Sequence, residues 1–164
     1  MTLRIAIITL SDRSSQGQRP DRSGPLLKET IIAQGWAATH REILPDNVVI
    51  LRDHLIALAE SDQFDIILTT GGTGFGPRDV TPEATSSVIE RPSPGLAEAM
   101  RAASLQITPH GMLSRGVAGI RGRTLIVNLP GSPKGALENL QVILPVLPHA
   151  VQLLHADPSA EAGH

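Results

Sequence analysis

A glycine-rich segment follows the most apolar predicted strand of the chain: Thr69–Asp79 reads TTGGTGFGPRD. Glycines directly after a strand let backbone N–H groups approach a phosphate closely. Two known phosphate-binding patterns fail at Pro77, where a Walker A loop needs Lys and a dinucleotide fingerprint needs Gly. We predict a phosphate-binding loop of another kind, although a plain strand-to-helix connection fits the glycines alone. Its binding residues would be Gly71, Gly72, Thr73 and Gly74.

Two aspartates follow predicted strands at points where their carboxylates could converge. Asp79 ends the glycine-rich segment, and Asp46 follows the second predicted strand. In phosphoryl and nucleotidyl transfer, Mg²⁺ is typically held by one or two carboxylates together with phosphate oxygens. We therefore expect Asp46 and Asp79 to form a catalytic, metal-binding pair. Each alone also fits a structural role, because Asp79 precedes a helix and Asp46 is a common turn former.

Three further segments place polar residues after predicted strands. The triplet Ser11-Asp12-Arg13 opens a loop that is longer than most strand-to-helix connections, although Asp12 also fits a surface ion pair. The segment Asn128–Gly135 (NLPGSPKG) ends a strand and opens a helix whose N–H groups suit an anion. Arg115, next to Ser114, either binds phosphate or holds a neighbouring loop.

Alternating strand and helix signals surround these segments and predict a mainly parallel sheet with right-handed crossovers. Ligands of such sheets lie beyond the carboxyl ends of the strands. Four helices are predicted to have Pro at their first position, three of them after a Ser or Thr cap. The predicted strands are Ile5–Leu10, Trp36–Leu44, Phe64–Thr70, Val117–Ile120 and Thr124–Leu129. The predicted helices are Pro25–Gln34, Val48–Ala59, three that begin at Pro82, Pro94 and Pro133, and short ones separated near Pro145 and Pro148.

The composition excludes several classes of protein. Of 164 residues 41% are hydrophobic and only 2% aromatic, and the net charge is −2, so we expect a globular domain that does not bind nucleic acid. The absence of Cys excludes thiolate chemistry. No stretch approaches the roughly 20 apolar residues of a membrane span, which favours a cytoplasmic protein without membrane contact. We predict one domain over residues 1–156 and a flexible tail over 157–164.

Several strings occur in the order and at the spacing of one family. They are SDR (Ser11–Arg13), Pro45–Asp46, TTGGTG (Thr69–Gly74), PRDVTPEAT (Pro77–Thr85), Ser114–Arg115 and NLPGSP (Asn128–Pro133). Together they resemble the molybdopterin adenylyltransferases, a group similar to bacterial MogA and MoaB and to the G domains of gephyrin and the plant Cnx proteins. The resemblance extends from about Leu3 to Leu154, and the combination is far more specific than the glycine-rich string alone.

The resemblance implies a three-layer α/β/α fold, a homotrimer, and transfer of AMP from Mg-ATP to the terminal phosphate of molybdopterin with release of pyrophosphate. It implies that Asp46 and Asp79 serve catalysis and bind Mg²⁺, and that the glycine-rich loop holds the nucleotide phosphates. It also implies hand-over of the product to a molybdate-inserting enzyme. The adenylyl moiety would be held by Asn128, Pro130, Gly131 and Ser132, and the pterin or its phosphate would lie near Asp12, Ser114 and Arg115.

Two other functions fit the same fold. One is a non-catalytic module that binds pterin or serves as a scaffold, which the presence of both Asp46 and Asp79 disfavours. The other is a hydrolase of nucleotide pyrophosphate linkages, similar to the competence-damage-inducible proteins. Such hydrolases usually carry additional segments, and the complete set of strings fits the transferase better. The products would separate the two enzymes.

Overall fold

The computed structural model describes residues 1–163, with side chains described through 161. The described residues form six strands and seven α-helices, which match the predicted elements except for one short strand and for a short helix at Asp12–Ser15, where a loop was expected. The strands are β1 (Arg4–Leu10), β2 (Ala37–Leu44), β3 (Ile66–Thr70), β4 (Arg91–Pro92), β5 (Ala118–Arg121) and β6 (Thr124–Leu129). The helices are α1 (Asp12–Ser15), α2 (Ser23–Ala33), α3 (Val48–Glu60), α4 (Thr81–Val88), α5 (Pro94–Leu105), α6 (Pro133–Ile143) and α7 (Leu147–Leu154).

The strands form one sheet in the order β2-β1-β3-β6-β5-β4. Strands β2, β1, β3 and β6 are mutually parallel, whereas β5 runs antiparallel to β6 and β4 antiparallel to β5. The expected reversal between β5 and β6 is present, with Gly122 at a φ of 58°. Strand β4 was not predicted, because two residues are too few to show a periodic pattern. The mainly parallel sheet is confirmed.

The two faces of the sheet bury separate apolar clusters, because side chains alternate between the faces along each strand. In β1, Ile5 and Ile7 pack with α2, α5, α6 and α7, whereas Ala6 and Ile8 pack with α3 and α4. Helices therefore cover both faces, and the predicted three-layer α/β/α fold is confirmed.

Two helix starts differ from the predicted ones. Helix α2 begins at Ser23, two residues before Pro25, because the Asp21 carboxylate accepts the Gly24 N–H and satisfies a donor of the first turn. Thr81 is the first residue of α4 and not its cap, since its hydroxyl donates to the Gly71 carbonyl oxygen at 2.9 Å. Ser132 does cap α6, where its Oγ accepts the Gly135 N–H.

The end of the chain is more regular than the loose tail that we expected. Residues Pro158–Gly163 form a 3₁₀ helix, and the Ala160 side chain is buried. The boundary at residue 157 between domain and flexible tail stays a prediction. Across the described residues, no helix is both long enough and apolar enough to span a membrane.

Candidate active site

The carboxyl ends of β1, β2, β3 and β6 surround a cavity of about 690 Å³, which we call the first cavity. It lies where the topology of a parallel sheet predicts a ligand. Both members of the expected acidic pair line it, together with parts of the glycine-rich loop and of the segment after β6. The predicted site residues in its wall are Asp46, Gly71, Gly72, Asp79, Gly131 and Ser132.

Asp46 is held in the first cavity by an exchange of hydrogen bonds with Asp12. The Asp12 N–H donates to Oδ2 of Asp46 at 3.1 Å, and the Asp46 N–H donates to Oδ1 of Asp12 at 3.0 Å. The Ser11 N–H also donates to the Leu44 carbonyl oxygen, which joins the ends of β1 and β2. Asp12 was expected near the pterin; its carboxylate is instead engaged by Asp46 and by Arg78.

Asp79 is partly buried, and the glycine-rich loop folds around its carboxylate. The Gly76 N–H donates to Oδ2 of Asp79 at 2.9 Å. At the start of the loop, Gly71 and Gly72 have φ values of 103° and 68°, a region that disfavours other residues. A Cβ on Gly71 would also collide with the Leu10 carbonyl oxygen. These two glycines are therefore required by the backbone path itself.

Electrostatics at Asp46 favour a cation nearby. Partial burial raises the pKa of the Asp46 carboxyl above its usual range, and the negative charges of Asp12 and Asp79 act in the same direction. Arg78, mainly through its hydrogen bond, lowers the pKa of Asp12. A divalent cation between Asp46 and Asp79 would relieve their repulsion, so the residues fit Mg²⁺.

Two carboxylates alone do not complete a metal site. Among the residues that the structure describes, no group of three or more His, Cys, Asp or Glu side chains is arranged to hold a metal ion. Mg²⁺ usually keeps several waters and binds through one or two carboxylates plus substrate phosphates. A cation at Asp46 and Asp79 would therefore need phosphate or water oxygens as its other ligands.

The segment after β6 is tied to the sheet and to α2. The Pro130 carbonyl oxygen accepts the Thr70 hydroxyl at 2.6 Å, and the Gly131 carbonyl oxygen accepts the Ser23 hydroxyl at 2.7 Å. Asn128, expected to hold the adenylyl moiety, is 2% exposed. Its amide nitrogen donates to the Thr69 and Thr85 hydroxyls, and its oxygen accepts the Val117 N–H. Its side chain therefore faces the protein interior.

A second cavity of about 750 Å³ lies on the other side of the glycine-rich loop. Ser132 lines both cavities. The second wall is more apolar than the first and contains the exposed side chain of Phe75. The predicted site residues that line it are Thr73, Gly74, Ser114, Pro130 and Ser132, and Ser104, Ile107, Thr108, His110, Leu113 and Lys134 contribute further side chains.

Arg115 holds the loop between the two cavities. Its Nε donates to the Gly74 carbonyl oxygen at 2.7 Å, and its Nη2 donates to the Asp79 carbonyl oxygen at 2.8 Å. Its Nη1 pairs with the Glu83 carboxylate. Of the two alternatives for this arginine, the contacts match the one in which it supports a neighbouring loop.

Three charged residues that line the first cavity were not predicted from the sequence, namely Arg19, Asp21 and Arg22. The Asp21 side chain is 4% exposed and accepts hydrogen bonds from Thr9 Oγ1 and Arg41 Nη1. One signal was available: Thr9 is a polar residue among the apolar residues that follow Arg4 in β1, and its buried hydroxyl needs a partner.

Comparisons with known proteins agree with the fold and with the motifs. The family described as "Probable molybdopterin binding domain" matches residues 6–149. The molybdopterin adenylyltransferase of Helicobacter pylori strain J99 is 40% identical over 155 residues, which covers 93% of this chain and 88% of that protein. Gephyrin of Dictyostelium discoideum is 43% identical over 166 residues, and this chain spans only 23% of its length.

A solved structure extends the likeness to three dimensions. The molybdopterin biosynthesis enzyme MoaB of Thermus thermophilus superimposes with a TM-score of 0.89 at 47% identity, covering 96% of this chain and 99% of that one. The predicted resemblance is thus confirmed by sequence and by architecture. Because the family match covers residues 6–149 of the 164, the chain belongs to the family of the molybdopterin-binding domain, the group that its motifs resemble.

Proposed function

We propose that the protein is a molybdopterin adenylyltransferase that acts in the biosynthesis of the molybdenum cofactor. The proposal is supported by relatives of that name at about 40% identity along most of the chain. The observation that carries it is the convergence of Asp46 and Asp79 with the glycine-rich loop in the first cavity. An acidic pair beside loop N–H groups is the arrangement that transfer between two phosphates requires.

The two adjoining cavities suit two substrates. We assign the first cavity to ATP, because Arg19, Arg22 and the loop after β3 line it beside the acidic pair. We assign the second cavity to the pterin, since its wall mixes apolar side chains with Ser, Thr and His groups that can hydrogen-bond a polar bicyclic ring. Ser132 borders both, so the reacting phosphates would meet beside it.

In the proposed reaction, a terminal phosphate oxygen of molybdopterin attacks the α-phosphorus of ATP. A new P–O bond forms there, the bond from that phosphorus to the bridging oxygen of the β-phosphate breaks, and pyrophosphate leaves. The attacking phosphate is already ionised at neutral pH, so no protein base has to remove a proton. The protein's own contribution is to hold two anions together in line.

Magnesium fits this scheme at Asp46 and Asp79. When bound, it would neutralise negative charge on the phosphates and help to orient them. Asp46 is aimed by the Asp12 N–H, and Asp79 by the Gly76 N–H, so the chain itself sets the direction of both carboxylates. Arg115 supports the backbone between them through the Gly74 and Asp79 carbonyl oxygens.

The test is an adenylyl-transfer assay with purified protein, molybdopterin, ATP and Mg²⁺, followed as adenylylated pterin and pyrophosphate. Wild type should form both products, and Asp79→Asn should form at least about a hundredfold less, the order of loss expected when charge stabilisation is removed. Thermal unfolding of Asp79→Asn serves as the control and should match wild type. Tight pterin binding without product from wild type would leave the non-catalytic module as the function.

The remaining features of the proposal follow from the family resemblance. We propose a homotrimer that works in the cytoplasm, where ATP is available, and that passes its product to a molybdate-inserting enzyme. Sedimentation of the purified protein would test the trimer. Release of AMP from a dinucleotide, in place of adenylylated pterin from ATP, would instead favour the hydrolase.

A further inference from the structure

Arg78 joins the glycine-rich loop to the segment that follows β1. Its Nε donates to Oδ2 of Asp12 at 3.0 Å and its Nη2 donates to Oδ1 at 3.1 Å, across 66 positions of the chain. A guanidinium that meets both oxygens of a carboxylate fixes the direction of its partner as well as its distance. This pair therefore restrains the loop in more than one direction.

Asp12 passes that restraint on to Asp46. Its Oδ1 accepts the Asp46 N–H as well as the Arg78 Nη2–H, and its own N–H donates to the Asp46 carboxylate. The residue that follows Arg78 is Asp79. Arg78 and Asp12 thus form a bridge between the two candidate metal ligands, with Asp79 next to Arg78 at one end and Asp46 bonded to Asp12 at the other. The bridge connects the segments that follow β1, β2 and β3.

We propose that Arg78 is a positioning residue that acts through Asp12: it holds the glycine-rich loop so that Asp79 faces Asp46, and it keeps the Asp12 carboxylate away from the cation. The consequence for catalysis rests on the proposed function. The consequence for the loop does not, because the bridge consists of hydrogen bonds between side chains of the chain itself.

The exposure of the Arg78–Asp12 ion pair indicates that it contributes little to the overall stability of the fold. The Arg78 side chain is 65% exposed and that of Asp12 is 32% exposed. Exposed ion pairs add little to the stability of a fold, so the loss of Arg78 should leave the unfolding temperature almost unchanged. A displacement of about 1 Å at a reacting group can nevertheless slow turnover by roughly a hundredfold.

The first experiment measures amide hydrogen exchange of the full-length protein without ATP or metal. Arg78→Gln should raise the exchange rate of residues 72–79 about fivefold, the shift expected when an exposed ion pair no longer closes a local opening. Asp12→Asn should have a similar effect, and the double variant should exchange no faster than either single variant. The proposal would be overturned if residues 72–79 exchanged at the wild-type rate in Arg78→Gln. It would also be overturned if the increases in exchange rate of the two single variants added up in the double variant.

The control is Arg52→Gln. Arg52 forms an exposed ion pair with its neighbour Asp53 at 3.0 Å on α3. Its replacement removes the same charge and should leave exchange of residues 72–79 at the wild-type rate. Arg78→Lys keeps the charge but lacks the planar pair of donors that matches both carboxylate oxygens, so its loop exchange should lie between wild type and Arg78→Gln.

Steady-state kinetics distinguish positioning from contact with the nucleotide. Arg78→Gln should lower kcat by about tenfold to a hundredfold and leave KM for ATP within about threefold of wild type. A tenfold rise in KM with kcat retained would mean that Arg78 binds ATP, which contradicts the proposal. If wild type shows no transfer at all, the proposed function fails, and the exchange experiment still decides the role of Arg78.

Discussion

The carboxylate of Asp79 lies in the space that a side chain on Gly74 would occupy. A Cβ built on Gly74 would be 2.9 Å from Oδ2 of Asp79, and one built on Gly76 would be 3.0 Å from the same atom. Real Cβ atoms essentially never come as close as the first distance and seldom as close as the second, so either methyl group would push the carboxylate aside. These two glycines make room for the acidic group, in addition to any role in approaching phosphate.

Gly74→Ala should therefore reduce activity without unfolding the protein. The new methyl group meets the free end of an aspartate side chain, which can rotate away, so we expect Tm to change by less than about 2 °C. The displaced Asp79 should lower kcat by at least about tenfold. Adenylyl transfer and thermal unfolding measured on the same preparation provide the check.

Gly95→Ala is the matched control for this substitution. Gly95 lies in the first turn of α5, and a Cβ there would have no atom within 4 Å. Activity should equal that of wild type, and Tm should rise slightly because Ala favours the helix over Gly. Wild-type kcat in Gly74→Ala would show that the position of Asp79 does not matter for turnover.

Much of this site could be predicted because its residues follow strands directly. Chain position places Asp46 and the glycine-rich loop at one edge of the sheet, whatever their side chains touch. The partner of Arg78 could not be found this way, since Asp12 lies 66 positions earlier and a pair of opposite charges has no periodic pattern. The two glycines beside Asp79 likewise look the same in sequence as glycines that contact phosphate.

Asp46→Asn should raise stability while it abolishes activity. Because burial and neighbouring carboxylates raise the pKa of Asp46 in the folded state, its ionised form is less favourable there than in the unfolded chain. This cost in folding free energy is absent at low pH. It appears as the pH rises through the pKa of Asp46 in the unfolded chain and is complete above its pKa in the folded protein. An amide removes it and can still accept the Asp12 N–H.

Thermal unfolding at pH 7 should give a Tm for Asp46→Asn about 1–3 °C above that of wild type. At pH 3, where the carboxyl of wild type is protonated as well, the difference should disappear. A lower Tm at pH 7 would mean that the ionised carboxylate stabilises the fold, contrary to the direction of its pKa shift.

Asp65 should show the opposite pH dependence. Burial by itself would raise the pKa of Asp65, but hydrogen bonds from the Arg4 side chain and N–H outweigh it, and the pKa lies below its usual range. A lowered pKa contributes stability above the unfolded value, about 3.9, and that stability is lost as pH falls through the folded pKa.

Asp65→Asn should therefore cost about 2 kcal/mol in urea unfolding at pH 7, the range for hydrogen bonds to a buried charged group. The cost should shrink as the pH falls below about 4. Asp53→Asn is the control, because the Asp53 side chain is 60% exposed and its pair with Arg52 should contribute less than about 0.5 kcal/mol. Equal losses in the two variants would contradict the role assigned to burial.

The position of Asn128 differs from the one that its motif predicts. The family resemblance implied that Asn128 holds the adenylyl moiety, yet β6 is buried along its whole length and the Asn128 side chain forms its hydrogen bonds inside the protein. Its amide links Thr69 on β3, Thr85 on α4 and the Val117 N–H before β5. We propose that Asn128 supports the site from behind and does not contact ATP.

Asn128→Ala tests this assignment because the two roles predict opposite effects. Loss of the amide leaves the buried hydroxyls of Thr69 and Thr85 and the Val117 N–H without this partner, which should cost about 2–3 kcal/mol and lower Tm by about 5–10 °C. Below its Tm, the variant should keep its KM for ATP within about threefold of wild type. Ser132→Ala is the comparison: Ser132 lies in the cavity wall and caps α6, so its loss should cost only about 1 kcal/mol but raise KM more. A large rise in KM for ATP in Asn128→Ala, with an unchanged Tm, would mean that Asn128 contacts the nucleotide.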